Sequence, residues 1–199
     1  MSVLVSNYKK SIYEIGLPRK TEAMIWDFYV TRSFASSASQ KRKAEDFGIK
    51  SIPIDVMLKQ AGFTEGNFRF MPCTTMTNTI KSLNLCLEGK DKNNKKVEME
   101  LEDIETPRMC CLQQFTVTEE GQIKPGPSKA DCLFTHIRNA MAHGNTFFFD
   151  NGNVLLEDKD GSKITARILI SVQSLVEWIR IVDSKGIVYP LSSMKHEYE

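Results

Sequence analysis

Residues 137–145 read "IRNAMAHGN". Three side chains in this stretch could do chemistry together. Arg138 offers a planar, permanently charged fork that matches phosphate oxygens. His143 carries an imidazole, the side chain whose ordinary titration lies nearest neutral pH, so it can serve as acid or base. Asn139 can hold either an imidazole or a phosphate through its amide. Between them stand only small or apolar residues.

On a helical wheel of about 100° per residue, Leu133, Phe134, Ile137, Ala140 and Met141 fall on one arc. Cys132, Thr135, His136, Arg138, Asn139 and His143 fall on the other, with Ala142 among them. The second arc carries no Lys, Glu or Asp after Asp131, unlike an ordinary solvated face. It suits close approach by a ligand or a second surface. Arg138 and His143 lie roughly 7.5 Å apart along the axis, and Asn139 and His143 one turn apart. This spacing also has a plain structural reading: His143 favours the negative end of a helix that Gly144 terminates, and Arg138 is a surface residue.

The rest of the chain bounds the possibilities. Its 199 residues, 41% hydrophobic, suffice for one domain with a proper core, taken as residues 1–199. No run of about eighteen apolar residues suggests a membrane span, and the start "MSVLVSNYKK" does not read as a secretory signal. Five cysteines without a CxxC pair fit a reducing cytoplasm. A net charge of +1 is too low for a protein that wraps DNA, so any nucleic-acid contact is expected to be local and transient.

Local patterns predict the elements that must position the three side chains. Helices are expected over 6–16, closed by Gly16, over 21–48 as one long helix with a poor helix former, "FASSAS", where a kink or a close helix contact would fall, and over 52–62 and 73–89. "KDKNNKK" reads as a charged turn, "KVEMELEDIET" alternates like a strand, "MCCLQQFTVT" fits helix or strand equally, and "EEGQIKPGPSK" reads as a linker. Ser128 caps a motif helix over 128–143, with Gly144 as terminator. Asn151-Gly152 marks a hairpin within 145–170, where "SKITARILIS" is a candidate third strand, and 171–183 is the last helix. The expected fold is mainly α, a helical bundle with a small antiparallel β-hairpin inserted before the last helix.

The string "IRNAMAHG", ending a helix and followed by a hairpin and an amphipathic helix, resembles the HEPN superfamily over about residues 128–183. "NTFFFDNGNVLLEDKDG" is similar to the hairpin of small stand-alone bacterial or plasmid-borne HEPN proteins. Many members of that superfamily are metal-independent endoribonucleases with an Arg, a polar residue and, a few residues on, a His; Arg138, Asn139 and His143 match one by one. The resemblance implies attack by the RNA 2′-hydroxyl, giving 2′,3′-cyclic phosphate and 5′-hydroxyl ends, without metal or cofactor. It also implies a homodimer that joins two Arg–His sets in one cleft, a toxin or phage-defence setting, and a possible antitoxin or regulatory partner. An inactive dimerisation or nucleotide- or RNA-binding module is the alternative. Toxins paired with a nucleotidyltransferase antitoxin often carry Tyr two residues after the His; Asn145 stands there, which argues against neutralisation by adenylylation at that position.

Other chemistry-bearing residues receive simpler readings. Cys132, His136 and His143 are too spread along one helix to ligate one ion, and His136 lies about 10.5 Å along the axis from His143. Cys110 and Cys111 read as small buried apolar residues, and Trp26 and Trp178 as core.

Overall fold

In the computed structural model, residues 16–72, 76–85, 88–90, 96–98, 104–113, 116–117, 119–124 and 126–190 are described. In chain order the elements are α1 (Arg19–Trp26), α2 (Ile54–Gln60), β1 (Phe68–Met71), α3 (Thr77–Ser82), β2 (Glu88–Lys90), β3 (Lys96–Glu98), β4 (Arg108–Leu112), β5 (Thr116–Val117), β6 (Ile123–Lys124), α4 (Lys129–Ala142), β7 (Thr146–Phe148), β8 (Asn153–Asp160), β9 (Lys163–Ser171) and α5 (Val172–Val182).

The mainly α bundle expected from the sequence is not what forms. A five-stranded mixed sheet, ordered β1-β4-β9-β8-β7, runs through the molecule. β1 pairs parallel to β4, while β4, β9, β8 and β7 are successively antiparallel. The hairpin is therefore three strands of a larger sheet that β4 and β1 extend. The ambiguous "MCCL" run becomes β4 because both of its faces are covered, and a strand buried on both sides shows no alternation to read. Met109 and Cys111 enter one core with Val154, Leu156, Ala166, Ile168 and Ile170. Cys110 and Leu112 enter a second core with Leu155 and Leu169, under Ile80 and Leu83 of the α3 segment.

Helices α4 and α5 cover the first face. Phe134 of α4 stacks on Tyr29, ring centroids 6.0 Å apart, and Trp178 of α5 donates its indole N–H to the Met57 carbonyl at 2.7 Å. Trp178 is thus core, as expected, but Trp26 is 50% exposed at the end of α1. The long helix expected over 21–48 also breaks. It widens into a π-turn at Asp27–Thr31 and then leaves helical form, returning only as a 3₁₀ turn at Ala44–Phe47. The Thr31 carbonyl accepts from the Ser39 hydroxyl at 2.7 Å and the Gln40 N–H at 3.2 Å, so the serine-rich stretch folds back on the helix end instead of prolonging it. The helix expected over 73–89 covers Thr77–Ser82 among the described residues, and Glu88–Lys90 is strand. The first expected helix falls almost wholly, and the charged turn mainly, outside the described residues.

The C-terminal third follows its sequence signals. The Ser128 hydroxyl caps α4 by accepting the Asp131 N–H at 3.1 Å, and Gly144 takes φ +70° just past the helix. Gly152, at φ +81°, makes the turn between β7 and β8. Ser128→Ala should cost about 1 kcal/mol in urea unfolding, the usual worth of a helix N-cap, with no change of fold by circular dichroism.

Candidate active site

Helix α4 carries the whole Arg–Asn–His string, and the sheet determines which of its side chains are free. Leu133, Phe134, Ile137 and Ala140 are fully buried, as the wheel requires. The opposite arc is not one open stripe. Cys132 and His136 are buried against the sheet, Thr135, Arg138 and Asn139 are half-buried, and Ala142 and His143 are exposed at the C-terminal end.

The buried end has a specific cause in the strand pairing. β8 and β9 slip register between Asp158 and Lys159: Asp158 pairs Ala166 and Lys159 pairs Ile164, leaving Thr165 as an extra residue. The β4–β9 ladder stops at the Cys111–Ala166 pair, so the Leu112 carbonyl, next on the same edge, has no β9 partner. Helix α4 supplies partners instead. His136 Nε2–H donates to the Leu112 carbonyl at 2.8 Å and the Cys132 thiol donates to it at 2.9 Å. His136 Nδ1–H donates to Asp158 Oδ2 at 2.7 Å.

Both ring nitrogens of His136 therefore face acceptors, a carbonyl and a carboxylate, and only the imidazolium can donate to both. Burial works against that charge; hydrogen bonds to Asp158, Cys132 and the Leu112 carbonyl outweigh it and raise the pKa to about 10. Burial pushes the Asp158 carboxyl upward, but hydrogen bonds from His136 and Asn139 bring it below its ordinary value.

The same carboxylate oxygen accepts a second bond, from Asn139 Nδ2 at 3.2 Å. The Asn139 oxygen in turn accepts from Arg138 Nη1 at 3.2 Å. Arg138 Nε is shielded from solvent and has no hydrogen-bond partner among the described residues. A cleft of about 390 Å³ opens over this group, lined by Thr135, His136, Asn139 and Asp158, with Lys159 and Lys163 beside them. Arg138 and His143 are not in its lining. His143 terminates α4, its backbone N–H on the Asn139 carbonyl at 3.0 Å, and its side chain is exposed. The structure thus brings Arg138 and Asn139 into contact and sets His143 one turn beyond.

Asp158 was not foreseen. Its signal was present: in "NVLLEDKD", Val154 and Leu156 face the helix-covered core, and a carboxylate two residues further points the same way. Cys132, His136 and His143 do not converge. The two buried side chains meet at the Leu112 carbonyl, and His143 lies at the exposed helix end.

Residues 70–184 match the HEPN pEK499 p136 family. The chain belongs to this HEPN family. The matched segment runs from β1 through α5 and contains the string Arg138-Asn139 to His143 on α4. No curated protein and no solved structure matches the chain. HEPN membership is compatible with RNA cleavage and with nucleotide binding. No helix among the described residues is long and apolar enough to cross a membrane.

The buried pair makes stability depend on pH. The folded pKa of His136 exceeds its unfolded value of about 6.5, so its contribution is complete below pH 6.5 and is lost as pH rises towards about 10. From pH 6.5 to 7.5, below the unfolded thiol pKa of about 8.5 around which the raised thiols of Cys110 and Cys111 begin to count, unfolding free energy should fall by up to about 1.4 kcal/mol per pH unit. In His136→Gln that slope should vanish and the protein should be less stable throughout. An equal slope in both proteins would show that His136 is not held as the imidazolium.

Proposed function

We propose that this HEPN protein is a metal-independent endoribonuclease that cuts RNA through Arg138, Asn139 and His143. The observation that carries the reading is the Arg-Asn-x-x-x-His string at the exposed end of α4, inside the segment that matches the family. RNA contains its own nucleophile, the 2′-hydroxyl beside each phosphate. Cleavage needs a proton removed from that hydroxyl, a proton given to the leaving 5′-oxygen, and stabilisation of charge on the phosphoryl oxygens. His143 moves a proton. Arg138 holds the oxygens with the Nη–H groups that Asn139 does not use. The products carry 2′,3′-cyclic phosphate and 5′-hydroxyl ends, and DNA, without the 2′-hydroxyl, is left intact. A cytoplasmic toxin or phage-defence effector, held in check by an antitoxin or regulatory protein, is the setting this chemistry suits.

One proton-transfer role remains open in a single chain. The other imidazole of α4 does not fill it, because both N–H groups of His136 are engaged and its charge is fixed. A second copy of the chain supplies the missing group if the exposed ends of two α4 helices meet across a two-fold axis. Ala142 beside His143 leaves room for that approach.

Cleavage of labelled single-stranded RNA in EDTA should fall about 10²–10⁴-fold in His143→Ala, the usual scale of acid–base catalysis. Arg138→Lys should be nearly as damaging as Arg138→Ala, because an ammonium lacks the fork. RNA retained on the protein but never cut would favour the binding-module reading.

The composite cleft has its own check. A purified mixed dimer of one wild-type and one His143→Ala chain should keep far less than half of the activity. Half the activity, or full activity in a dilute monomer, would leave the ribonuclease reading standing and exclude the shared cleft.

A further inference from the structure

Asn139 stands between two fixed groups. On one side, Asp158 Oδ2 is a pure acceptor, so the Asn139 NH₂ must face it, at 3.2 Å. On the other, the guanidinium of Arg138 is a pure donor, so the amide oxygen must face that, also at 3.2 Å. The amide has one orientation that satisfies both. Asp158 is itself fixed: it is 5% exposed and accepts from the 8% exposed His136 at 2.7 Å, which in turn is anchored on the Leu112 carbonyl.

We propose that Asp158 and His136 are positioning residues for Arg138, acting through Asn139 in a chain of hydrogen bonds whose polarity permits only one arrangement. The chain runs from the β4 backbone through the imidazolium, the carboxylate and the amide to the guanidinium, and ends at the group that holds the phosphoryl oxygens. This rests on the ribonuclease reading for its consequence on rate, but not for its consequence on the order of Arg138. A long cationic side chain at a helix surface ordinarily samples many rotamers; here a neutral amide, locked from behind, selects among them. The charge of Asp158 does not reach the substrate. It sets which end of Asn139 the arginine meets.

Both donors meet the same oxygen: His136 Nδ1–H and Asn139 Nδ2–H each bond to Asp158 Oδ2. Asp158→Ala removes that acceptor, so the Asn139 NH₂ loses its partner and the amide is free to turn towards Arg138. In Asp158→Asn the new amide oxygen takes the place of Oδ2 and accepts from both, so the polarity of the chain is kept although the carboxylate charge is lost.

On labelled single-stranded RNA, Asp158→Ala should lose about 100-fold in kcat with little change in KM, the scale for a misplacement of about 1 Å. Asp158→Asn should keep at least tenfold more activity than Asp158→Ala. The second readout is the Arg138 Nε–Hε resonance: its order parameter should fall in Asp158→Ala and stay near the wild-type value in Asp158→Asn. A role confined to the charge of the buried pair would give no such difference, since both variants remove that charge. If the wild type cuts no RNA, the ribonuclease reading fails and the Arg138 order parameter alone decides the chain. Should Asp158→Ala not fold, Asn139→Leu removes the middle link and leaves the buried pair in place; Arg138 must then lose order. Unchanged Arg138 order in Asp158→Ala or Asn139→Leu, or an Asp158→Asn protein no better than Asp158→Ala, overturns the proposal.

Discussion

The ion pair between His136 and Asp158 is the constraint around which this structure is arranged. Placing a carboxylate and an imidazolium under a helix costs several kcal/mol per charge unless each finds partners in good geometry. Here the pair is met on every side. The imidazolium donates to Asp158 and to the Leu112 carbonyl, and the carboxylate also accepts from Asn139. Removing either partner would strand the other charge, so the pair acts as a register mark. Helix α4 cannot slide along the sheet, or turn on its axis, without losing all of these bonds.

The register slip in β9 makes the pair possible. In a continuous ladder the Leu112 carbonyl would bond to β9 and could accept only one of the two bonds that the helix now donates to it. The extra residue at Thr165 ends the β4–β9 pairing one step early and frees that carbonyl under α4. The opposite face of the same strands has its own buried pair, one residue out of phase. Arg167 donates to Glu157 at 2.7 Å and to the Leu85 carbonyl at 2.7 Å, fastening the segment after α3 to the sheet. Glu157 and Asp158 are neighbours in sequence but face different cores, as strand pleating requires. Each layer covering the sheet is therefore located by a charge on β8.

What the sequence made legible follows from how local each determinant is. The cap at Ser128, the terminator Gly144, the turn at Asn151-Gly152 and the apolar arc of α4 are all encoded within a few residues, and all form where expected. The sheet was not legible because its extent depends on pairings distant in sequence. Residues 109–112 have no polar face to alternate with, and Phe68–Met71 becomes a strand only through its parallel partner β4. The 21–48 helix fails for a related reason. Its apolar spacing is helical, but the Thr31 carbonyl is taken by Ser39 and Gln40 of the returning chain. In the candidate site, Arg138, Asn139 and His143 were readable as a string. Asp158 was not, because its relation to Asn139 exists only once β8 lies under α4. Seen on a wheel, His136 belongs with His143; in the fold its role is opposite.

That opposition gives α4 a gradient of constraint along its length. At Cys132 and His136 the side chains are buried and every ring nitrogen is committed. At Asn139 the commitment is shared: one end of the amide is held by the interior and the other meets Arg138. At His143, one turn further, the imidazole is exposed past the last turn of helix. A group that must exchange protons has to reach solvent and substrate, whereas a group that must present a fixed fork gains from being held. The two imidazoles of one helix are thus separated by burial and hydrogen bonding: His136 is held between two acceptors and fixes geometry, and His143 is exposed at the rim. The residue between them, Asn139, is neutral, so it transmits orientation from the interior without bringing another charge to the place where a phosphate would bind.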